Sequence, residues 1–379
     1  MGSNSEMKET ELTVLHLIAT NFFGGPEKQL LEHAVRMNGA VRIVSFLENG
    51  RANELLVKAE EAGICTESLI THNPFNPLVI ISLLKVLKKH RPELLCAHGY
   101  KSNILGRIAT WIIKTPCIAV SRGWTGESKK IKYYEKIDKL FLRFADHVVA
   151  VSEGQRQKIL DRGVSREVVS VIHNSINSTS ERGTPDKKSL REILGVRKDA
   201  LLVISAGRLS PEKNYKSMIK AAKIVVSKNP EVIFAIFGEG AERKELQNLV
   251  DIEGLGRSFF LHGFIKNISS LFSQADIFIL PSFTEGLSNV LLEACASRVP
   301  CIASAAGGNP EIIQDDETGF LVQNPEDVNS FAEKIQILLQ DPELRKRMGE
   351  NARNYVQNNF SFEEQTKKYY ELYLKLLAK

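Results

Sequence analysis

The chain has 379 residues, of which 43% are hydrophobic and 25% charged, and its formal net charge is +5. This length is large for one hydrophobic core and suits two domains, and the composition is that of a globular rather than a disordered protein. No apolar run reaches the roughly 20 residues of a membrane-spanning helix, and the N-terminus lacks a signal-peptide core. Five scattered cysteines without a CxxC pair argue against zinc and predict a reduced, cytoplasmic protein.

The first half of the chain alternates short apolar runs with amphipathic ones, which is typical of parallel strands joined by helices. Strands are predicted at 13–19, 41–46, 94–97, 117–120, 147–151 and 168–172. Helices are predicted at 27–37, 53–62, 77–90 and 103–113. Gly24 and Gly25 follow the first strand, where the missing side chains either let backbone amides approach a phosphate or mark only a tight turn.

The second half repeats this alternation after a turn-rich, weakly apolar segment at 174–200. Its strands are predicted at 201–205, 232–237, 259–261, 277–280 and 301–303. We therefore predict two domains, 1–177 and 178–359, followed by a closing segment, 360–379, whose helix spans 362–377.

Two cations follow the first strand of the second half. Arg208 and Lys213 lie five positions apart, beside Gly207 and Pro211, in a loop that enters a helix. Both can reach one diphosphate, arginine with a fixed fork of donors and lysine as a point charge. The alternative is a pair of solvated surface cations.

Two carboxylates flank the start of a later helix. Glu285 lies in the loop after the strand at 277–280, Ser288 and Asn289 lie near the predicted helix start, and Glu293 lies within the helix. Free amides at a helix N-terminus favour an anion such as phosphate, and the carboxylates could accept hydrogen bonds from sugar hydroxyls. The alternative is a buried strand–helix pair with two solvated acids.

The P-S-x-x-E-G-L run with its second glutamate resembles the E-x7-E signature of the family 4 retaining glycosyltransferases. Similar motifs of that family occur in the same order along nearly the whole chain, most specifically within 201–325. They lie at 24–27, 207–213, 237–240, 261–264, 307–311 and 318–322.

The resemblance implies the α/β GT-B fold, in which two Rossmann-like, doubly wound parallel-sheet domains face each other across a cleft. It implies that the N-terminal domain binds the acceptor and that the second domain binds a nucleotide sugar. It also implies that the closing helix crosses back onto the N-terminal domain.

The resemblance assigns Arg208, Lys213 and Glu285 to catalysis. Glu293 would accept the ribose hydroxyls of the nucleotide, and Glu285 would hold the donor sugar together with the backbone of Gly286 and Leu287. The donor site so predicted consists of Gly24, Gly25, Gly207, Phe264, Ile265, Gly286, Leu287, Ser288, Asn289 and Glu293.

These groups suit the departure of a nucleoside diphosphate from a sugar C1, because fixed cations and helix amides stabilise the charge on the leaving oxygen. No Asp-x-Asp motif occurs, so we expect no metal and no other cofactor. By resemblance the reaction retains the anomeric configuration, and front-side attack and double displacement both remain open.

The acceptor side departs from the family. Many relatives have a histidine after a first-domain strand where this chain has Arg122, which stays protonated and cannot act as a base. Arg122 could instead bind a diphosphate or orient an acceptor. His98 and Lys101 are further candidates for acceptor contact, although a lone histidine at a strand end is often structural. Arg298, where relatives usually have glycine, predicts local strain.

The segment 129–143 carries six basic residues among apolar ones at helical spacing, Lys129, Lys130, Lys132, Lys136, Lys139 and Arg143. It is either a helix on an anionic membrane surface or a core-packed helix with a solvated basic face. The first interpretation predicts a peripheral position on the inner face of the cell membrane. No base-stacking motif accompanies the basic residues, so nucleic acid is not an expected partner.

The sequence thus predicts a retaining, metal-independent hexosyltransferase of polysaccharide or glycolipid biosynthesis. It would move a sugar from a UDP- or GDP-linked donor to a saccharide or lipid-linked acceptor. The alternatives are another GT-B-like enzyme acting on a small soluble acceptor, and a catalytically silent nucleotide-sugar-binding protein. The residues leave the base, the sugar, the linkage and the oligomeric state open.

Overall fold

A computed structural model describes residues 12–20, 22–48, 53–71, 78–124, 126, 129–177 and 188–378. These residues form two parallel sheets. The first has seven strands in the order β3-β2-β1-β4-β5-β6-β7, and the second has six in the order β10-β9-β8-β11-β12-β13.

The first sheet is built from the N-terminal half of the chain. Its strands are β1 Val14–Ile18, β2 Val41–Glu48, β3 Cys65–Thr71, β4 Leu94–His98, β5 Cys117–Ser121, β6 His147–Ala150 and β7 Val169–Val171. The helices that join them are α1 Gly25–Arg36, α2 Glu54–Glu61, α3 Val79–His90, α4 Tyr100–Ile113, α5 Lys129–Phe141 and α6 Glu153–Leu160. β1, β4, β5 and β6 are buried at every position, as expected for a parallel sheet covered on both faces.

The second sheet is built from residues 202–322. Its strands are β8 Leu202–Ala206, β9 Ile233–Phe237, β10 Phe259–Leu261, β11 Ile277–Leu280, β12 Cys301–Ser304 and β13 Gly319–Val322. The helices of this half are α7 Leu190–Leu194, α8 Tyr215–Lys228, α9 Arg243–Ile252, α10 Asn289–Ala296, α11 Asn309–Ile312, α12 Val328–Gln340, α13 Pro342–Asn359 and α14 Phe362–Leu377.

Strand order reverses at one point in each sheet. β1 lies between β2 and β4, and β8 lies between β9 and β11. In doubly wound sheets the ligand crevice opens at this switch point, beyond the carboxyl ends of the strands. The loops after β1, β4, β8 and β11 are therefore the ones expected to build a site.

The predicted fold class is confirmed, and each predicted strand overlaps an observed one. Two edge strands were not predicted. β3 alternates exposed and buried residues rather than forming an apolar run, and β13 is only four residues long. Helix α10 begins at Asn289, two residues later than predicted, because the Ser288 hydroxyl accepts a hydrogen bond from the amide of Leu291 at 3.4 Å and caps the helix.

The closing helix α14 packs against α1, and the Tyr373 hydroxyl lies 3.1 Å from Nε2 of both His16 and His33. The predicted domain boundary after residue 177 adjoins 178–187, which lie outside the described residues, so it stays a prediction. Arg298 has a φ of 62°, a left-handed conformation that costs an arginine more than a glycine. Among the described helices, none has both the length and the apolar character needed to cross a bilayer.

Candidate active site

The loop after β8 meets the loop after β11. Lys213 ends a 3-10 turn at Pro211–Lys213, and its Nζ donates to Oε1 of Glu285 at 2.7 Å. The next residue, Asn214, donates from Nδ2 to the carbonyl oxygens of Pro281 and Pro325 at 3.1 and 2.7 Å. The structure therefore brings Lys213 and Glu285, 72 positions apart, into direct contact.

Glu285 is a largely buried carboxylate whose Oε1 also accepts from the Ser282 hydroxyl at 2.7 Å. Its side chain is 10% exposed, and that of Lys213 is 17% exposed. Arg208 lies in the same loop as Lys213 with its side chain exposed. Gly207 has no room for a larger residue, because a Cβ there would lie 2.8 Å from the Tyr215 hydroxyl oxygen.

The N-termini of helices α1 and α10 meet across the two halves of the chain. A Cβ on Gly25 would lie 2.3 Å from Nδ2 of Asn289, so a larger residue here would displace the Asn289 side chain. Each helix N-terminus carries partial positive charge and free amide groups. Two such ends at one place form a natural site for an anion, which is consistent with the phosphate contact predicted for Gly24 and Gly25.

Glu293, predicted to bind ribose, pairs with a residue that the sequence analysis missed. Nζ of Lys28, from the first turn of α1, lies 2.8 Å from Oε1 of Glu293, and the two side chains are 44% and 25% exposed. The pair lies on a groove of about 750 Å³, including space open to solvent, that Gly25 and Asn289 also line. In this conformation Lys28 pairs with the carboxylate that is predicted to bind ribose.

Replacing Lys28 with methionine should therefore strengthen nucleotide binding. The pair is partly exposed, so its loss frees Glu293 at a gain of about 1 kcal/mol or less, which is up to about fivefold in Kd. Isothermal titration of UDP into Lys28→Met and the wild type measures the difference. Weaker binding by the variant would show instead that Lys28 contacts the nucleotide itself.

The loop after β10 carries the two residues predicted beside the nucleotide base, Phe264 and Ile265. Phe264 is 59% exposed, and its ring meets that of Phe22 edge-on, with centroids 6.0 Å apart. Nζ of Lys266 lies 3.2 Å from Oε1 of Glu54. Phe22, from the loop after β1, was not among the predicted site residues. The signals in the sequence were its aromatic neighbour Phe23 and its position two residues before Gly24.

Two of the three predicted acceptor residues, His98 and Arg122, line one small cavity, and Lys101 does not. His98 is buried, and its Nδ1 accepts from Nη2 of Arg122 at 3.1 Å while its Nε2 lies 2.9 Å from Nδ1 of His16. Nζ of Lys101 lies over the ring of Phe46, 4.0 Å from its centroid. Burial, followed by the charge of Arg122, lowers the pKa of His98 well below its usual value. Both ring nitrogens of His98 are thus engaged within the protein, and an acceptor contact for these residues stays a prediction.

Among the described residues, one group of histidine and cysteine atoms is close enough together to hold a metal ion. The ligand atoms of His16, Cys96 and His98 lie within 4.8 Å of one another. The fit to a cation is poor, because the Arg122 guanidinium contacts His98 and burial raises the pKa of the Cys96 thiol well above its usual value. The expectation that catalysis needs no metal stays a prediction.

Two side chains from the N-terminal half of the chain hold the loop at Gly286 and Leu287, which was predicted to bind the donor sugar. The Ser152 hydroxyl donates to the Gly286 carbonyl at 2.8 Å, and Nδ2 of Asn174 donates to the Leu287 carbonyl at 2.9 Å. A Cβ on Gly286 would lie 2.2 Å from the carbonyl oxygen of Arg122. Glycine at this position is therefore required for the two halves of the chain to meet.

A second contact between the halves is electrostatic. The Glu311 carboxylate accepts from the amides of Glu153 and Gly154, at 2.9 and 3.1 Å, and from Nε2 of His173 at 2.8 Å. Burial alone would raise the pKa of Glu311, but these hydrogen bonds outweigh it and the pKa lies below its usual value. Glu311 thus caps α6 from the opposite domain.

Comparison with known proteins agrees with this architecture. Residues 24–180 match the family described as Glycosyltransferase Family 4, and residues 186–355 match Glycosyl transferases group 1. The chain is 30% identical over 309 residues, 79% of each protein, to the UDP-Gal:alpha-D-GlcNAc-diphosphoundecaprenol alpha-1,3-galactosyltransferase of Escherichia coli. It is 28% identical over 315 residues, 78% of this chain and 81% of the relative, to the capsular polysaccharide biosynthesis glycosyltransferase CapM of Staphylococcus aureus.

Solved structures share the same fold at lower identity. The crystal structure of Anabaena Alr3699/HepE in complex with UDP and glucose superposes with a TM-score of 0.84 at 22% identity, over 95% of this chain and 99% of that one. The crystal structure of TarM superposes with a TM-score of 0.75 at 15% identity, over 96% and 99%. With two facing parallel sheets and matches along both halves, the chain belongs to glycosyltransferase family 4, has the GT-B fold and is a glycosyltransferase.

Proposed function

We propose that the protein transfers a sugar from a UDP-sugar to a lipid-linked saccharide, with retention of anomeric configuration and without a metal ion. The observation that carries the proposal is the meeting of Lys213 and Glu285 beside the paired N-termini of α1 and α10. The choice of donor and acceptor is supported by the E. coli relative, whose name specifies UDP-Gal and a diphosphoundecaprenol-linked sugar. The Anabaena neighbour, which binds UDP and glucose, supports the same donor class.

In the proposed reaction the bond between the sugar C1 and the β-phosphate oxygen breaks, and negative charge grows on that oxygen. Arg208 and Lys213 neutralise the diphosphate from one side, and the amides at the start of α10 do so from another. These groups are fixed before the reaction, so they stabilise the transition state without reorganising.

Glu285 orients the donor sugar in this scheme. Its Oε1 already accepts hydrogen bonds from Lys213 and Ser282, and a carboxylate paired in this way is a weak nucleophile. We therefore favour front-side attack, in which the acceptor hydroxyl adds to C1 from the face that the diphosphate leaves. The departing phosphate takes the proton of that hydroxyl, and no protein base is required.

A transfer assay tests the proposal. The purified protein is incubated with a panel of UDP- and GDP-sugars and with a polyprenyl-diphosphate-linked sugar or the free saccharide, and the anomeric configuration of the product is read by NMR. We expect turnover with a UDP-sugar and the lipid-linked acceptor, with retention. Turnover with GDP-sugars alone, or an inverted product, would contradict it. Tight UDP binding without any transfer would favour a silent binding protein.

We also propose that helix α5 and the end of α4 contact an anionic membrane. The face of α5 turned into the protein carries the buried acids Glu135 and Asp138, which leaves basic and apolar side chains outside. In the outer surface, here called the α4–α5 patch, each large apolar residue is at least 46% exposed. The patch consists of Trp111, Ile112, Tyr133, Leu140 and Phe144, with Lys132, Lys136 and Arg143.

The patch is continuous at its aromatic end, where the ring centroids of Trp111 and Phe144 are 5.7 Å apart. Contiguous exposed apolar surface of this kind marks an interaction site, and flanking cations suit anionic headgroups. A membrane contact here would hold the acceptor-binding domain near a lipid-linked substrate.

Flotation with liposomes tests the membrane contact. We expect the protein to float with vesicles that contain phosphatidylglycerol and not with neutral vesicles. Lys136→Glu replaces an attractive charge by a repulsive one, so partitioning should fall by roughly 2 kcal/mol, or about thirtyfold. Lys346→Glu, an exposed lysine of α13, serves as the matched control and should float normally. Equal binding to neutral and anionic vesicles, or none to either, would remove the proposal.

A further inference from the structure

A continuous chain of hydrogen-bonded side chains, here called the relay, runs from the closing helix to the loop predicted to hold the donor sugar. In order, it consists of His33, Tyr373, His16, His98, Arg122 and Asn174, and it ends at the carbonyl oxygen of Leu287. The successive donor–acceptor distances are 3.1, 3.1, 2.9, 3.1, 3.4 and 2.9 Å. The relay thus joins α1, α14, the middle of β1, the end of β4 and the segments after β5 and β7 to the second domain.

The guanidinium of Arg122 sets the direction of the hydrogen bonds from Arg122 to Tyr373. A guanidinium can only donate, so Nδ1 of His98 must accept and its proton lies on Nε2. That proton is donated to Nδ1 of His16, whose own proton therefore lies on Nε2 and is donated to the Tyr373 hydroxyl oxygen. The Tyr373 hydroxyl then has its own proton to donate, and Nε2 of His33 and the Cys96 sulfur are its neighbouring acceptors.

The two ends of the relay differ. Nδ1 of His33 is buried without a hydrogen-bond partner, so the relay stops at this residue. At the other end, Oδ1 of Asn174 accepts from Arg122 while its Nδ2 donates to Leu287. A flipped Asn174 amide would set donor against donor and acceptor against acceptor, so one orientation satisfies both neighbours.

Burial gives the relay its rigidity. His16, His33, His98 and Tyr373 are all at least 95% buried. In such surroundings a hydrogen bond is stronger than in water, and the loss of a partner is costly. The tautomers of His16 and His98 and the rotamer of Arg122 are therefore fixed together.

We propose that the relay positions the Gly286–Leu287 backbone for catalysis, and that Arg122, His98, His16 and Tyr373 are positioning residues for sugar transfer. The inference rests on the proposed function only in giving that loop the donor sugar. It assigns Arg122 and His98 a role different from the direct acceptor contact that the sequence predicts. It also explains why an arginine stands at this place, since its fork reaches His98 and Asn174 at once.

Matched tyrosine variants of α14 separate positioning from packing. Tyr373→Phe removes the hydroxyl that links His16 to His33, whereas Tyr369→Phe removes a buried hydroxyl one turn away that is not part of the relay. We expect Tyr373→Phe to lower kcat by about tenfold while the Kd for UDP changes less than about twofold, because the loop holds the sugar rather than the nucleotide. Tyr369→Phe should leave kcat and Kd unchanged.

Arg122→Lys provides a second variant in case Tyr373→Phe does not fold. Lysine keeps the positive charge but lacks the planar fork whose two nitrogens reach His98 and Asn174, so the same fall in kcat at unchanged UDP affinity is expected. A fall in UDP affinity of similar size would place Arg122 on the nucleotide and overturn the positioning role.

Two measurements decide the relay independently of turnover. Histidine-selective ¹⁵N NMR should show the proton on Nε2 in both His16 and His98. Amide hydrogen exchange in peptides that cover 283–292 should speed up in Tyr373→Phe and Arg122→Lys but not in Tyr369→Phe. Any other tautomer pattern, or equal exchange in both tyrosine variants, overturns the relay. Absence of wild-type transfer with an intact NMR and exchange pattern would instead overturn the proposed function alone.

Discussion

Replacing Lys213 with alanine should lower kcat/KM for a UDP-sugar by several hundredfold, which corresponds to about 3–4 kcal/mol. Lys213 is the cation that contacts Glu285 in the free protein, at 2.7 Å, and both side chains are largely buried. Solvent screens a charge fixed in such a site only weakly, so its effect on the leaving diphosphate is large. The loss should lie mainly in kcat, because charge on the leaving oxygen develops only as the bond breaks.

The matched control is Lys216→Ala, three positions after Lys213 and in the first turn of helix α8. Lys216 is 44% exposed and pairs with Glu245 at 2.6 Å, away from Glu285. It should lose less than about twofold in kcat/KM, as expected for an exposed ion pair. Steady-state kinetics on both variants measures the difference. A loss below about threefold for Lys213→Ala would show that this loop does not contact the diphosphate.

Acidification should destabilise the fold steeply before the carboxylates protonate. Burial is the largest cause that lowers the pKa of His16, His33 and His98, and the charge of Arg122 lowers all three further. For His33 the pKa falls from 6.5 to about 3. The folded protein therefore keeps all three neutral at a pH where the unfolded chain binds three protons.

The sign of the effect follows from this difference. The free energy of unfolding is unaffected by these histidines above the unfolded pKa of 6.5. It decreases as the pH falls below 6.5, since the unfolded state gains protons that the folded state excludes. Three protons correspond to up to about 4 kcal/mol per pH unit, or about 6 kcal/mol between pH 7.5 and pH 5. The other titratable or charged groups facing the cluster are Cys96, Arg36, Arg122, Tyr369 and Tyr373.

Urea unfolding at pH 7.5, 6 and 5 measures this slope. His33→Gln removes one of the three protons and should flatten the slope by about one third. His262→Gln changes an exposed histidine after β10 and serves as the control with an unchanged slope. A free energy of unfolding that stays constant from pH 7.5 to pH 5 would mean that these histidines are not held neutral.

The sequence was a good guide where one apolar run or one loop carried the signal. β1, β4, β8 and β11 are continuous buried strands, and their pattern is visible without a structure. β3 was missed because it is an edge strand whose Cys65–Thr71 run includes exposed polar residues. Its pairing with β2 is set by tertiary context rather than by its own composition.

Contacts within the second domain were easier to predict than contacts between the two halves of the chain. Lys213 and Glu285 follow two strands of one predicted sheet and were assigned together to catalysis, and their side chains are in contact. Lys28 and Glu293 are 265 positions apart, and nothing in the sequence of α1 indicates that Lys28 contacts Glu293. The relay is hidden for the same reason, because His33 and Tyr373 are separated by 340 positions and each alone reads as an ordinary core residue.

The claim on which the mechanism depends is that side-chain cations and helix N-termini, rather than a metal ion, neutralise the departing diphosphate. The most direct measurement is kcat/KM for transfer from a UDP-sugar to the lipid-linked acceptor in excess EDTA and in excess Mg²⁺. The account predicts the same value under both conditions, and a several-hundredfold loss in Lys213→Ala under both. Activity that disappears in EDTA and returns with Mg²⁺ or Mn²⁺ would contradict it.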